Sequence, residues 1–363
     1  MKLMNVLNEN AQTHARASNV RGGQMRASTI DVGALERDLR TVVRGEVRFD
    51  EGSRALYTSD ASNYRQLPIG VVLPYDAGDV VETVAVCRRH GAPVLTRGGG
   101  TSLAGQCCNT AVVIDMSKYM NHILELNAQE RWARIQPGVI LDDLRDAAEQ
   151  HHLTFGPDPA THNHCTLGGM IGNNSCGVHA LMAGKTGDNI EEMEILTYDG
   201  LRLRVGQTSE EELARIIAQG GRRGEIYAQL KALRDKYADL IRARYPAIPR
   251  RVSGYNLDEL LPEKGFNVAR ALVGSECTCV TVLEAKTRLV DSPPVRVLVV
   301  LGYVDIYTGC DQIPELLKHQ PIGLEGFDHN LIDDLQKKGL HPDEVALFPP
   351  GKGWLMVEFG GQN

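Results

Sequence analysis

Ten consecutive residues carry the first chemical signal in this chain: Arg97-Gly98-Gly99-Gly100-Thr101-Ser102-Leu103-Ala104-Gly105-Gln106. Pro93-Val94-Leu95-Thr96 precedes them and Ala111 to Met116 follows, so the economical reading is strand, glycine-rich loop, strand. Four glycines in eight residues let a backbone curl its N–H groups into one concavity, because glycine tolerates positive φ and has no Cβ to block close approach. Such a nest binds anionic oxygens, and the Thr101 and Ser102 hydroxyls add donors. The loop is suited to a phosphate or diphosphate. An ordinary turn would leave the Thr101-Ser102 and Gly105-Gln106 pairs without a purpose.

Two familiar phosphate motifs fail on spacing. A dinucleotide fingerprint started at Gly98 requires its third glycine where Leu103 stands. Gly184-Lys185-Thr186 supplies the end of a P-loop, but His179 occupies the position of the required first glycine. A second polar, glycine-rich run, Thr166 to Gly177, contains Gly168, Gly169, Gly172, Asn173 and Ser175, and its plainest reading is a helix start packed on a sheet. The histidines show no paired metal-ligand spacing, and no metal site is expected. Eight cysteines without a C-x-x-C exclude a zinc module and a ferredoxin pattern, and read as reduced, mostly buried thiols.

The elements that must position the loop are legible in the pattern. Val71-Val72-Leu73-Pro74 reads as a strand. Asp76 caps the helix that follows, Asp79 sits in its first turn, and Val80, Val81, Val84 and Cys87 form its apolar stripe up to His90-Gly91. Two hairpins are expected, 123–135 and 190–205, the second turning at Asp199-Gly200. Helices are expected over 139–151, from Ser209 to Gln219, and from Glu225 to Arg244. Leu272-Val273 and Val280 to Leu283 read as strands. Beyond Asp291-Ser292-Pro293-Pro294 come a strand (295–303), a helix (311–319), a turn at 323–326 and a strand (354–359).

Length and composition suit a globular chain with real cores: 363 residues, 42% hydrophobic and 23% charged. A net charge of −7 argues against a nucleic-acid partner. No apolar run reaches membrane-spanning length, and residues 1–29 read as a polar extension without the apolar core of a signal peptide. A cytoplasmic location is expected.

Taken together and in order, several motifs resemble the FAD-binding domain of the PCMH-type (vanillyl-alcohol-oxidase) flavoenzymes. They are Leu73-Pro74, the Arg97 loop, Gln136-Pro137-Gly138, Gly156-Pro157-Asp158-Pro159, Thr166 to Gly177, Gly187-Asp188-Asn189-Ile190 and Val273-Gly274-Ser275-Glu276. The branch they resemble is that of the D-lactate, glycolate and D-2-hydroxyglutarate dehydrogenases. The resemblance implies an α+β fold: a two-subdomain FAD-binding domain over 30–290, then the start of an α+β substrate (cap) domain over 291–363, apparently truncated. It implies that the Arg97 loop holds the FAD diphosphate, that Thr166 to Gly177 runs along the cofactor, that Pro157, Asp158 and Thr161 line the isoalloxazine side, and that Ile190 touches the adenine or the ring through its backbone. Thr101 stands where covalent relatives carry a histidine, so FAD is expected to be held non-covalently.

The activity implied is oxidation of a small 2-hydroxy acid by hydride transfer to flavin N5, with a base to take the hydroxyl proton. The resemblance places that base later in the cap domain, so no catalytic residue is assigned; His329 is read as structural, and Arg65 as either a carboxylate ligand or a surface residue. Val252 to Leu257 resembles the branch fused to an iron–sulfur module, which would then accept the electrons. One departure stands out. Where the family reads Gly-Ser-Glu-Gly-Thr, this chain has Cys277, and a position needing positive φ would be strained by it. Two further readings remain: a non-catalytic flavin-binding subunit completed by a partner chain, and an NTP-binding protein using Gly184-Lys185-Thr186.

Overall fold

A computed structural model describes residues 30–363; the polar extension over 1–29 lies outside the described residues. Strands β1 (Glu46–Arg48), β2 (Gly70–Leu73), β3 (Val94–Arg97) and β4 (Val112–Asp115) form a sheet in the order β1-β2-β4-β3. The pairs β2–β4 and β3–β4 are parallel, and β1 is antiparallel to β2. Every residue of β2 and β4 is buried, as expected where a parallel sheet is covered on both faces. Helix α1 (Val32–Val42) contributes Leu35 and Leu39 to the same core as Val86 and Cys87 of α2 (Ala77–Arg89).

Asp76 caps α2 by accepting from the Gly78 and Asp79 amides. Asp79 does more than sit in the positive end of the helix. Its carboxylate is buried and accepts the backbone N–H groups of Arg44, Gly45 and Tyr75 at 3.1, 2.9 and 2.9 Å, latching the segment before β1 to the turn after β2.

The second sheet is antiparallel: β5 (Ile123–Asn127), β6 (Trp132–Ile135), β8 (Ile190–Leu196), β9 (Arg202–Gly206) and β10 (Thr281–Arg288), in the order β5-β6-β10-β8-β9. Helix α3 (Leu141–Glu149) sends Leu144 and Ala148 into its core, joined by Leu167, Met170 and Ile171 of α4 (Leu167–Asn173). The long helix from Gly221 to Arg244 covers the same core with Tyr227, and ends before Pro246 as the pattern requires. The Asp199-Gly200 hairpin is present, with Gly200 at φ +93°. Val80, Val84, Ile114, Met116 and Met120 meet Leu196 and Leu283 in a separate cluster that joins the two sheets.

Strand β7 (Leu153–Thr154) pairs with β11 (Val290–Asp291). The chain then forms a third, antiparallel sheet: β12 (Val295–Tyr303), β13 (Gly323–Asp328) and β14 (Gly353–Gly361), with β14 central. Three expectations need correction. Leu272-Val273 is the end and cap of a helix, Val268–Leu272, whose start is fixed by Asn267 accepting from the Arg270 amide; a short apolar pair could not distinguish the two. Residues 323–326 belong to a strand. The helix expected over 311–319 begins at Ile306, because Asp305 caps it by accepting from the Thr308 amide.

Candidate functional site

The carboxyl ends of β3 and β4 open onto a cleft that reaches across to the second sheet. Ligands of open α/β sheets bind outside the carboxyl ends of strands, which is where this cleft lies. Three walls enclose it. The first is the glycine loop, contributing Arg97, Gly98, Ser102 and Gln106, with Cys107 just beyond. The second is α4 with its cap: Thr166, Gly168, Gly169, Ile171, Gly172 and Asn173. The third runs from Leu272 through Ser275, Glu276 and Cys277 to Val280 and Val282.

Within the described residues, the amides from Gly98 to Ser102 donate no hydrogen bond to the protein. Of these five residues, Gly98 and Ser102 line the cleft. The loop holds that shape through close approaches. A Cβ on Gly98 would lie 1.9 Å from Thr166 Oγ1, and one on Gly99 would lie 2.2 Å from the His164 carbonyl oxygen. Gly100 and Gly105 carry positive φ, +67° and +82°. Gly99, Gly100, Thr101 and Gly105 do not themselves line the cleft; they shape the loop that does.

Arg97 lines the cleft, but its guanidinium serves the fold. It donates to the carbonyl oxygens of Ser59 (2.9 Å) and Cys107 (3.3 Å) and stacks over the Tyr57 ring. Thr166 caps α4 by accepting from the Gly169 amide. A Cβ on Gly172 would meet nothing within 4 Å, so the α4 wall leaves room for close approach of a ligand to its backbone. A short helix interrupted by three glycines is thus both readings at once, a helix start packed on a sheet and a wall of the cleft.

The 274–278 loop seats on the end of α4: the Gly274 amide donates to Ile171 O at 2.8 Å and the Glu276 amide to Gly172 O at 3.1 Å. Gln106 Nε2 donates to Glu276 Oε1 at 3.3 Å, tying the first wall to the third. Cys277 sits at φ +62°, the left-handed region in which a glycine would be relaxed. Its thiol lies 2.7 Å from Thr96 Oγ1, and burial pushes its pKa up.

Six of the expected residues lie away from the cleft. Asp158 accepts from the His179 amide and ring, and Gly177 presses on the Asp158 carbonyl. The Thr161 carbonyl accepts the His164 and Cys165 amides, and the Ser175 carbonyl accepts from Thr186. Ile190 is buried in β8 with its carbonyl taken by Arg270 Nε at 3.1 Å. Pro157 shares the Asp158 loop. Conversely, Thr96, Cys107, Met116, Pro137, Leu272, Ser275, Glu276, Cys277, Val280 and Val282 line the cleft without having been assigned there. The Pro137 and Val273 to Glu276 motifs carried a signal; the isolated apolar residues carried none.

The P-loop remnant is closed. Lys185 Nζ binds Asp188 at 3.0 Å, and Thr186 is buried with its hydroxyl donated to Ser175 O. All eight cysteines are free, but only Cys87, Cys108 and Cys165 are buried, fewer than expected. His329 and Arg65 are exposed and line no part of the cleft. No helix among the described residues is long and apolar enough to cross a membrane.

Fold and cleft define a ligand-binding domain, and its likeness to known proteins shows of what kind. Residues 68–206 match the family described as FAD binding domain, and this segment is an FAD-binding domain of the PCMH type. The chain is homologous to D-2-hydroxyglutarate dehydrogenase of Pseudomonas putida, 33% identical over 329 residues that cover 88% of this chain and 33% of that protein. It is 28% identical to the glycolate oxidase subunit GlcD of Bacillus subtilis over 314 residues, 84% of this chain and 56% of that one. A solved structure of alkyldihydroxyacetonephosphate synthase shares the fold, with TM-score 0.63 and 18% identity, covering 91% of this chain and 56% of that one. The chain spans about a third of the length of the D-2-hydroxyglutarate dehydrogenases it matches.

Proposed function

We propose that this chain is the FAD-binding part, with the start of the substrate domain, of a dehydrogenase that oxidises a D-2-hydroxy acid. The observation that carries the reading is the cleft itself. A glycine loop whose amides have no protein acceptor borders, through Gly98 and Ser102, a cleft with an apolar far wall inside an FAD-binding domain, in a chain homologous to D-2-hydroxyglutarate dehydrogenases. Residues 30–290 form the cofactor domain, 291–363 begin the substrate domain, and 1–29 precede both.

The donor set fits FAD. The Gly98 to Ser102 amides and the Ser102 hydroxyl would hold the diphosphate, while Met116, Ile171, Leu272, Val280 and Val282 offer the apolar surface that a flat purine requires. Gly169 and Gly172 leave the α4 wall open to close contact. Thr101, at the position of the attaching histidine of covalent relatives, supplies no nitrogen nucleophile, so binding is non-covalent. FAD supplies the acceptor for the hydride of the substrate carbon. The chain's own residues bind and orient the cofactor and exclude water from its diphosphate end. The substrate is a small 2-hydroxy acid, the electrons pass to an iron–sulfur module, and eight unpaired thiols suit a cytoplasmic home.

One observation favours the alternative of a subunit completed by a partner chain. Val295, Val297, Leu298 and Val299 of β12, an edge strand, are exposed. Titration with FAD, FMN and ATP, followed by addition of D- and L-2-hydroxyglutarate without oxygen, tests the reading. Saturable binding of FAD alone is expected of this chain, and bleaching by the D-enantiomer alone is expected once the remainder of the substrate domain is present. FAD binding without bleaching, with bleaching restored by a co-purifying chain, selects the subunit. Affinity for ATP and none for FAD overturns both.

A further inference from the structure

His179 belongs to no part of the cleft, yet among the described residues it is the most enclosed histidine, and it has two acidic partners. Its side chain is 9% exposed. Nδ1 lies 2.5 Å from Asp158 Oδ2, and the His179 amide donates to Asp158 Oδ1 at 3.0 Å. On the other side of the ring, Nε2 lies 3.2 Å from Glu358 Oε2. Asp158 stands in the loop 156–161 that follows β7, whereas Glu358 is on β14, 179 residues further along the chain than His179. The imidazole therefore stands between the cofactor-binding part of the chain and the third sheet.

A neutral imidazole has one donor and one acceptor, so against two carboxylates one ring nitrogen would point its lone pair at a negative oxygen. The imidazolium donates from both nitrogens and satisfies both acids. The other charged group at this contact is Arg296 of β12, whose guanidinium is 3.9 Å from Glu358 Oε1 and balances the second carboxylate. Strand β13 contributes only Gly323, where an added Cβ would lie 3.6 Å from His179 Cδ2. The ionisable groups acting on the ring are Asp158, Glu358 and Arg296.

We propose that His179 is a positioning residue which, as the imidazolium, ties the Asp158 loop to β14 and so fixes the third sheet against the cofactor-binding part. If 291–363 begins the substrate domain, this tie sets where that domain sits over the cofactor. Only that consequence rests on the proposed function; the tie itself is testable without cofactor. Hydrogen bonding to Asp158, opposed by burial, raises the His179 pKa above the usual 6.5. A raised folded value means that the stabilisation is complete below the unfolded pKa and is lost as pH rises through the folded one.

The test is hydrogen exchange of β14 (353–361) between about pH 6 and pH 9, corrected for intrinsic rates, beside β4 (112–115) as an internal reference. In the native protein the protection of β14 should fall as pH rises through the folded pKa of His179, while β4 holds. His179→Gln should leave β14 weakly protected and indifferent to pH. Glu358→Gln, the milder change, should lower the ring pKa read by NMR and shift the exchange transition to lower pH. A flat β14 profile in the native protein overturns the proposal, as does an unchanged profile in a folded Glu358→Gln variant. The outcome is separable from the cofactor reading: β14 can follow His179 in a protein that refuses FAD, and a protein that binds FAD can show a flat profile.

Discussion

The cleft and the His179 contact are both built from the stretch between residues 156 and 186, and they use it in opposite ways. Along α4, glycines keep the backbone bare: Gly172 faces open space and Gly168 sits against the Pro137 backbone. At the flanks of the same stretch, Asp158, Gly177 and His179 close on one another, and Glu358 completes the closure from β14. The first region keeps bare backbone along the cleft. The second leaves its charges satisfied within the protein. Only the first lines the cleft; the second closes on itself by side-chain ion pairing.

The comparison breaks most sharply at Gly172. A Gly172→Leu side chain would enter open space beside α4, so the fold should stand, helped by about 1 kcal/mol of helix propensity. FAD affinity should nevertheless fall at least about 100-fold, some 2.7 kcal/mol, because the side chain fills the cleft. Calorimetric titration beside a thermal melt checks both halves. A variant that binds FAD normally would remove α4 from the site.

Gly99→Ala attacks the shape of the loop and not its free face. The new Cβ would lie 2.2 Å from the His164 carbonyl oxygen, so backbone must move. A loss of about 2 kcal/mol in stability and about tenfold in FAD affinity is expected, read by denaturant unfolding and fluorescence titration.

Cys277→Gly sets two terms against each other. Left-handed backbone strain at a non-glycine residue is about 1–3 kcal/mol, and the contact with Thr96 is worth about 0.5–1.5 kcal/mol. Strain should prevail, and the melting midpoint should rise by about 2–4 °C. A lower midpoint would show that the thiol contact outweighs the strain. The smallest effect belongs to the contact with β14: Glu358→Gln should leave FAD affinity within about twofold, since none of its partners lines the cleft.

Much of the scaffold was legible because its signals are local. Leu73-Pro74, Asp76 and the valine stripe of α2 mark the β-α-β unit, and Asp199-Gly200 marks its hairpin. Strand β1 was not legible, since three residues cannot display a period. Asp79 looked like a helix-dipole charge because its three amide partners come from chain segments that only folding brings together. In the candidate site, the glycine loop and α4 announced themselves by composition. Met116, Leu272, Val280 and Val282 did not, because an apolar residue facing a cavity is written like one facing a core. Cys277 was legible in a narrower sense: the substitution for glycine pointed to a positive φ, and the backbone has it.

The most direct measurement is the visible absorption spectrum of the purified protein incubated with FAD and freed of excess, taken before and after acid precipitation. Flavin bands that co-elute with the protein and pass into the supernatant are predicted by the proposed non-covalent site. Flavin that stays with the pellet would contradict the Thr101 argument. A protein that remains colourless would contradict the assignment of the cleft itself.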